Sequence, residues 1–300
     1  MHPKPTSGNY LQRTRQTSMV GLFVNVLLAL LKIGAGVFGN SQAVLADGIH
    51  SFSDSGTDIS ILLGAGYWSK PPDFSHPHGH QRIETLVTTA IGIILITAGG
   101  LIGYRALSTL HTPHDSTPGW VAFGAALVSI ISKEGLYRWT ARVGRNIKSS
   151  AVVANAVHHR SDAFSSIPVA CAVLLARVFP AWAFLDLLAS LVVSVFILWA
   201  GWQVFWPAAR ELVDVGASKR ELERIRNLAL ETDGVRKVHG IRTRYLGGSL
   251  VVDLHVLVDG SLSVSEGHRI SESVKDRLLV DGPGVVDAVV HLEPVQSASG

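Results

Sequence analysis

The stretch Ala46-Asp-Gly-Ile-His50-Ser-Phe-Ser-Asp54 decides how this chain is read. It lies inside a long apolar run, Gln42–Trp68, yet carries Asp47, His50, Asp54 and, one turn on, Asp58. Spacings of three, four and four place all four on one stripe of a helix. A charge at the centre of a bilayer costs at least ~2.5–3.5 kcal/mol on insertion scales, so such residues persist where they pair, bind something or line a pathway. A second stretch, His158-His-Arg-Ser-Asp162, repeats the pattern His-x-x-Ser-Asp in another apolar run. His158 and Asp162 are again four apart and share a face.

Working outward, six runs approach the ~20 apolar residues that a spanning helix needs. They are Met19–Phe38, Gln42–Trp68, Leu86–Leu107, Gly119–Tyr137, Ala151–Val178 and Ala181–Pro207, with breaks at Asn40, residues 112–118 and Pro180. Charged residues make up only 16% of the chain, against about 25% in an ordinary soluble domain. The deficit falls before Pro207; from Asp214 onward the composition is that of a soluble domain. The expected organisation is therefore a cytoplasmic N-terminal segment (1–18), a six-helix transmembrane domain (19–210), a cytoplasmic domain (211–295) and a disordered tail (296–300).

The net charge of +3 does not indicate nucleic acid, because the basic residues gather at the ends of the apolar runs. Lys4, Arg13 and Arg15 precede the first; Lys70 and Arg82 follow the second. Arg138, Arg142, Arg145 and Lys148 follow the fourth, and Arg210 the sixth. Arg105 and Arg177, at helix ends on the other side, can snorkel. This asymmetry places both termini in the cytoplasm. The polar N-terminus and the length of the first run give no cleavable signal. The lone Cys171 rules out an internal disulfide framework and a cysteine-based zinc site.

The tail reads helix, strand, strand, helix, strand. Capping boxes at Ser218–Glu221 and Ser263–Glu266 open the helices, which run to about Glu231 and Leu279. Strands are expected at Val235–Tyr245, Leu250–Val258 and Val285–Glu293, with a hairpin at Leu246-Gly-Gly-Ser249. The fold class is thus an all-α membrane domain followed by an α+β ferredoxin-like (αββαβ) domain, one strand short of the full pattern.

Two helices that each offer a His and an Asp from adjacent turns can close a tetrahedral cage, and nitrogen and carboxylate donors suit Zn²⁺. Two carboxylates also offset the dication's charge in low dielectric. The competing reading is interhelical hydrogen bonding, for example His50 with Asp162; two matching motifs in separate runs weigh against it. Asp47 and Asp58 read as supporting or pathway groups, or equally as packing pairs. Lys32, Lys133 and Glu134 read as helix-pairing or interface residues, and Asp186 as a local cap or pair. The loop Asp73-Phe-Ser-His-Pro-His-Gly-His80 is dense enough in donors for a metal to bind among Asp73, His76, His78 and His80. In the tail, His239, His255, His268, His291 and Glu293 are candidate donors, of which His291 and Glu293 share a strand face.

With these residues in view, the chain resembles the cation diffusion facilitator family over nearly its whole length. The likeness rests on the six runs, Ala46–Asp54, Gly79-His-Gln-Arg-Ile-Glu84, His158-x-x-x-Asp162 and the small tail domain. The resemblance implies a homodimeric divalent-cation/proton antiporter with a transport site of His50, Asp54, His158 and Asp162. It also implies a loop site of Asp73, His76 and His80, and regulatory tail sites at His239, His255, His268, His291 and Glu293. Some members have aspartate in place of Glu293 or of His50. The His₂Asp₂ set resembles the zinc-preferring branch, with Cd²⁺, Fe²⁺, Co²⁺ and Mn²⁺ as alternative cargo. The expected location is a bacterial inner membrane. Two other classes stay open at this point. One is an intramembrane metalloenzyme, which would need an open coordination position and a general base. The other is a non-transporting metal sensor or scaffold.

Overall fold

The computed structural model describes residues 7–68, 70–109, 117–147 and 149–295. Lys4, Lys148, the stretch 110–116 and the tail 296–300 lie outside the described residues, as do the side chains of Arg13 and Asp58. Six long helices come first: α1 (Ser7–Phe38), α2 (Gln42–Trp68), α3 (Arg82–Thr109), α4 (Trp120–Asn146), α5 (Ser150–Val178) and α6 (Phe184–Leu212). The helices extend past the apolar runs. Helix α1 begins at Ser7, so the polar residues 7–18 continue the helix instead of forming a separate lead-in. Helix α4 adds Arg138, Arg142 and Arg145 in polar turns beyond Tyr137.

Among the described residues, four stretches, Arg15–Phe38, Arg82–Thr109, Val152–Val178 and Pro180–Leu212, are long and apolar enough to cross a membrane. Helices α2 and α4 carry more charge along their length: Asp47, Asp54 and Asp58 on one, Lys133, Glu134 and Arg138 on the other.

The chain forms two compact units, residues 1–64 with 90–205, and residues 65–89 with 206–300. In the first, α4 packs along α5, and α1 packs on both. The core is small-residue packing, Ala43, Ala46, Ala122, Ala126 and Ala170 with Val169, Val173 and Ile197. Small residues let helices approach closely where no water-driven force joins them. The seam of α3 and α6 shows it: a Cβ at Gly92 would lie 2.7 Å from the Phe205 Cα.

Asn40 turns the chain between α1 and α2 with φ of 48°, a left-handed value that asparagine tolerates. Helix α2 is then capped from far along the chain. The Asp186 carboxylate accepts from the Gln42 N–H (2.7 Å) and from Ser41 Oγ (2.6 Å), while Ser41 Oγ accepts from the Val44 N–H (3.1 Å). Asp186 therefore caps α2 from the first turn of α6. Pro180 opens a short 3₁₀ turn, Pro180–Trp182, between α5 and α6.

In the second unit α7 (Lys219–Leu230), β1 (Lys237–Leu246), β2 (Ser249–Val258), α8 (Val264–Asp281) and β3 (Val285–Pro294) follow in order. Both capping boxes form as the sequence predicts, at Ser218 and Ser263. The strands lie β1-β2-β3, the first pair antiparallel and the second parallel, joined by α8. Ile225 and Ala229 of α7 and Val274 and Leu278 of α8 pack on Leu250, Val252, Leu254 and Val256 of β2. Both helices thus cover one face of the sheet. The alternation of β2 sends His255 to the other.

Candidate metal centres

Among the described residues, three groups of donors lie close enough to share an ion, each within one unit. In the first unit, α2 supplies Asp54 and α5 supplies His158 and Asp162, with ligand atoms all within 4.8 Å of one another. His50, one turn before Asp54, holds Nε2 at 3.8 Å from Asp54 Oδ2, and His158 Nδ1 stands 3.9 Å from Asp162 Oδ1. These distances exceed a hydrogen bond. Donors around a tetrahedral ion with ~2.1 Å bonds lie about 3.4 Å apart, so the group needs to close by only ~1 Å. His50 Nδ1 is buried without a hydrogen-bond partner, which suits a ring still lacking a second-site contact. A groove of about 530 Å³ between α5 and α6, walled by Pro168, Leu188, Val192 and Phe196, reaches His50.

The sequence-level alternative of a His50–Asp162 hydrogen bond does not occur among the described contacts. Asp162 does bond across helices, but to Lys133 of α4, at 3.0 Å. Sequence reading marked Lys133 as a pairing residue and missed that its partner is a candidate ligand. The only signal was a lysine amid an apolar run with no acid one turn away except Glu134 next door, which instead meets Arg138 (2.8 Å) and Arg160 (3.7 Å). Arg160 also stacks over Tyr137 and Phe164. Asp47 is not in the donor group. It pairs with Lys32 of α1 at 2.7 Å, both nearly sealed from solvent. His159 is buried on the other side of α5, against Gly21 of α1.

The second group is in the loop between α2 and α3. Asp73 Oδ1 accepts from the His76 N–H (2.7 Å) and Ser75 Oγ (3.1 Å), and lies 3.3 Å from His76 Nδ1; Asp73 Oδ2 lies 3.4 Å from His80 Nε2. The His76 N–H, foremost, holds the Asp73 carboxyl below the ordinary carboxylate value, so it stays ionised as a ligand requires. His80 is buried, with an unpartnered Nδ1. His78 is not in this group; with His76 it lines a groove beside Lys70 and Arg82.

The third group lies on the open face of the sheet. Register sets His239 opposite His255 and His255 opposite His291. Glu293 bridges them, Oε2 at 2.8 Å from His239 Nε2 and Oε1 at 2.7 Å from His255 Nδ1; His291 Nε2 is 3.8 Å away. The hydrogen bonds from His255 and then His239 hold the Glu293 carboxyl below its ordinary value. A bulge between His239 and Arg242 re-aims this edge. Gly240 stands there at φ 60°, and a Cβ would come 3.0 Å from the His255 ring. His268, exposed on α8, joins none of the groups.

Residues 18–213 match the cation efflux transmembrane domain, and residues 217–295 the cation efflux protein cytoplasmic domain. The manganese efflux system protein MneP of Bacillus subtilis is 30% identical, covering 94% of this chain and 97% of that protein. An uncharacterised transporter of Methanocaldococcus jannaschii is 36% identical over 93% of this chain and 96% of its own. The magnetosome protein MamM of Magnetospirillum gryphiswaldense is 31% identical over 87% and 82%.

Proposed function

The chain belongs to the cation diffusion facilitator family of metal-efflux transporters, and on that premise we propose that it exports Zn²⁺ from the cytoplasm in exchange for protons. Members of the family are transporters and not enzymes, so the metalloenzyme reading falls away. The observation that carries the proposal is the meeting of Asp54, His158 and Asp162, with His50 beside them, from two helices of one bundle. Two imidazole nitrogens and two carboxylate oxygens fit tetrahedral Zn²⁺.

A manganese reading is the second one, favoured by the name of one relative, MneP. Two nitrogen donors weigh against it, since Mn²⁺ suits oxygen ligands and stands lowest in the affinity order. Cd²⁺, Co²⁺ and Fe²⁺ are further cargo candidates. Ligand histidines must be neutral and ligand carboxylates ionised to hold metal, so protons arriving from outside compete with it and return inward. Helices α2 and α4 cross the bilayer with the other four, Asp47 and Lys133 turned into the bundle, in a bacterial inner membrane with both termini cytoplasmic. The second unit pairs two copies, and its loop and sheet donors sense cytoplasmic metal.

The test is flux in proteoliposomes under an imposed pH gradient, one divalent ion at a time. The proposal expects Zn²⁺ movement with opposite proton movement. Fast Mn²⁺ flux without Zn²⁺ flux would replace the cargo. Metal binding without flux of any ion would leave a sensor or scaffold.

A further inference from the structure

Two lysines lie deep in the helical unit, and they are held differently. Lys32 is fully buried; its ammonium meets Asp47 (2.7 Å), Ser51 Oγ (3.2 Å) and Ser166 Oγ (3.0 Å). Two N–H groups go to the serine hydroxyls, and the charge is paired with the Asp47 carboxylate. Ser166 Oγ also donates to Asp47 Oδ1 at 3.2 Å. This is a closed pair, tied on both sides.

Lys133 is almost as buried, 2% exposed, but among the described residues its ammonium donates to Asp162 Oδ2 alone, at 3.0 Å. The other oxygen, Asp162 Oδ1, faces His158. A cation supplied by the chain therefore rests on the carboxylate that closes the donor group. Asp54, across on α2, accepts no such ammonium bond among the described residues; its near neighbour is His50. The two carboxylates of the group are unequal, one free for an incoming ion and one already engaged.

Resting on the export reading of Asp54, His158 and Asp162, we propose that Lys133 is a tethered cation that takes the metal's place in the empty carrier. The ion lands on Asp54 and His158 and displaces the ammonium from Asp162. When the ion leaves, the ammonium returns. Bare carboxylate in a low-dielectric bundle is costly, and the lysine relieves that cost only while the site is empty. A four-carbon stem gives the ammonium reach to withdraw, while the close packing of α4 on α5 fixes its root beside Asp162. Lys133 acts on the ligand and not on the ion, so it is a positioning residue.

The proposal predicts a split that a purely structural lysine would not give. In the full-length protein, Lys133→Met removes the competitor and binds Zn²⁺ roughly tenfold more tightly, the scale of one charge-assisted bond. In proteoliposomes, Zn²⁺–Zn²⁺ exchange in this variant matches or exceeds the parent. Net efflux into metal-free buffer falls about tenfold, because the empty carrier returns with Asp162 bare. Lys133→Arg, which keeps the cation, restores net efflux. Unchanged affinity together with an unchanged ratio of net efflux to exchange in Lys133→Met overturns the proposal. Should that variant fail to reconstitute, Lys133→Gln carries the same comparison. Asp54→Ala, run alongside, separates the two claims. Full binding there removes the export site itself; lost binding there with an unaltered Lys133→Met removes only the tethered cation.

Discussion

The helical donor group and the sheet donor group use similar side chains in opposite settings. Between α2 and α5 there are two carboxylates, one held by a buried lysine, and the donors of Asp54, His158 and Asp162 lie within 4.8 Å of one another. On the sheet, two histidines are hydrogen-bonded to one glutamate at 2.7–2.8 Å, with a third 3.8 Å from it, all open to water. In low dielectric the dication's charge has to be matched by the protein, so carboxylates are doubled and the empty site needs a substitute cation. On the open face solvent screens the charge, and imidazoles tied by a single acid suffice. The first arrangement suits release as well as capture; the second suits standing occupancy.

The largest expected contrast is in transport. Asp54→Ala and Asp162→Ala each lower Zn²⁺ efflux by roughly 100-fold or more, the scale expected when a metal-site carboxylate is removed. Glu293→Ala changes the same flux only by a few-fold, on the order of a regulatory coupling. Equal losses in all three would erase the distinction, and the readout is flux in proteoliposomes.

A smaller effect concerns stability in the helical unit. Lys32→Met leaves Asp47 buried and unpaired, costing about 3–5 kcal/mol, whereas the double change Lys32→Met with Asp47→Leu recovers much of it. Thermal unfolding of detergent-solubilised protein reads both. A Lys32→Met protein as robust as the parent would contradict the closed-pair description.

The smallest is in the second unit. Ser218→Ala removes the α7 cap and costs about 1 kcal/mol, seen as a lower unfolding midpoint. Its partner Glu221 has its carboxyl held below the ordinary 4.5 by hydrogen bonds from Ser218. A depressed acid stabilises the fold above its ordinary value and loses that contribution as pH falls through the lowered one. The midpoint difference between Ser218→Ala and its parent therefore shrinks on acidification below that range. A difference constant with pH would break the capping-box account.

Much of this was legible in the chain because local rules govern it. The caps at Ser218 and Ser263 are fixed by neighbours a few residues apart, and they form as read. Of the four residues in the His-x-x-Ser-Asp echo, α2 and α5 bring Asp54, His158 and Asp162 within 4.8 Å of one another, with His50 3.8 Å from Asp54. What escaped depends on partners distant in sequence. Nothing near Lys133 announces Asp162, 29 residues on, and nothing near Asp186 announces the α2 N-terminus, 144 residues back. The bulge at Gly240 and the strand register decided which tail histidines converge and left His268 aside. Asp47, on the same helical stripe as His50 and Asp54, belongs to Lys32 because α1 packs there.

Anomalous scattering from Zn²⁺ bound to the full-length protein tests the central claim most directly. The account predicts a peak about 2.0–2.2 Å from donor atoms of His50, Asp54, His158 and Asp162, with Lys133 drawn off Asp162. Density for the ion elsewhere in the bundle, with Asp54 and Asp162 remaining on opposite sides of an empty gap, would contradict it.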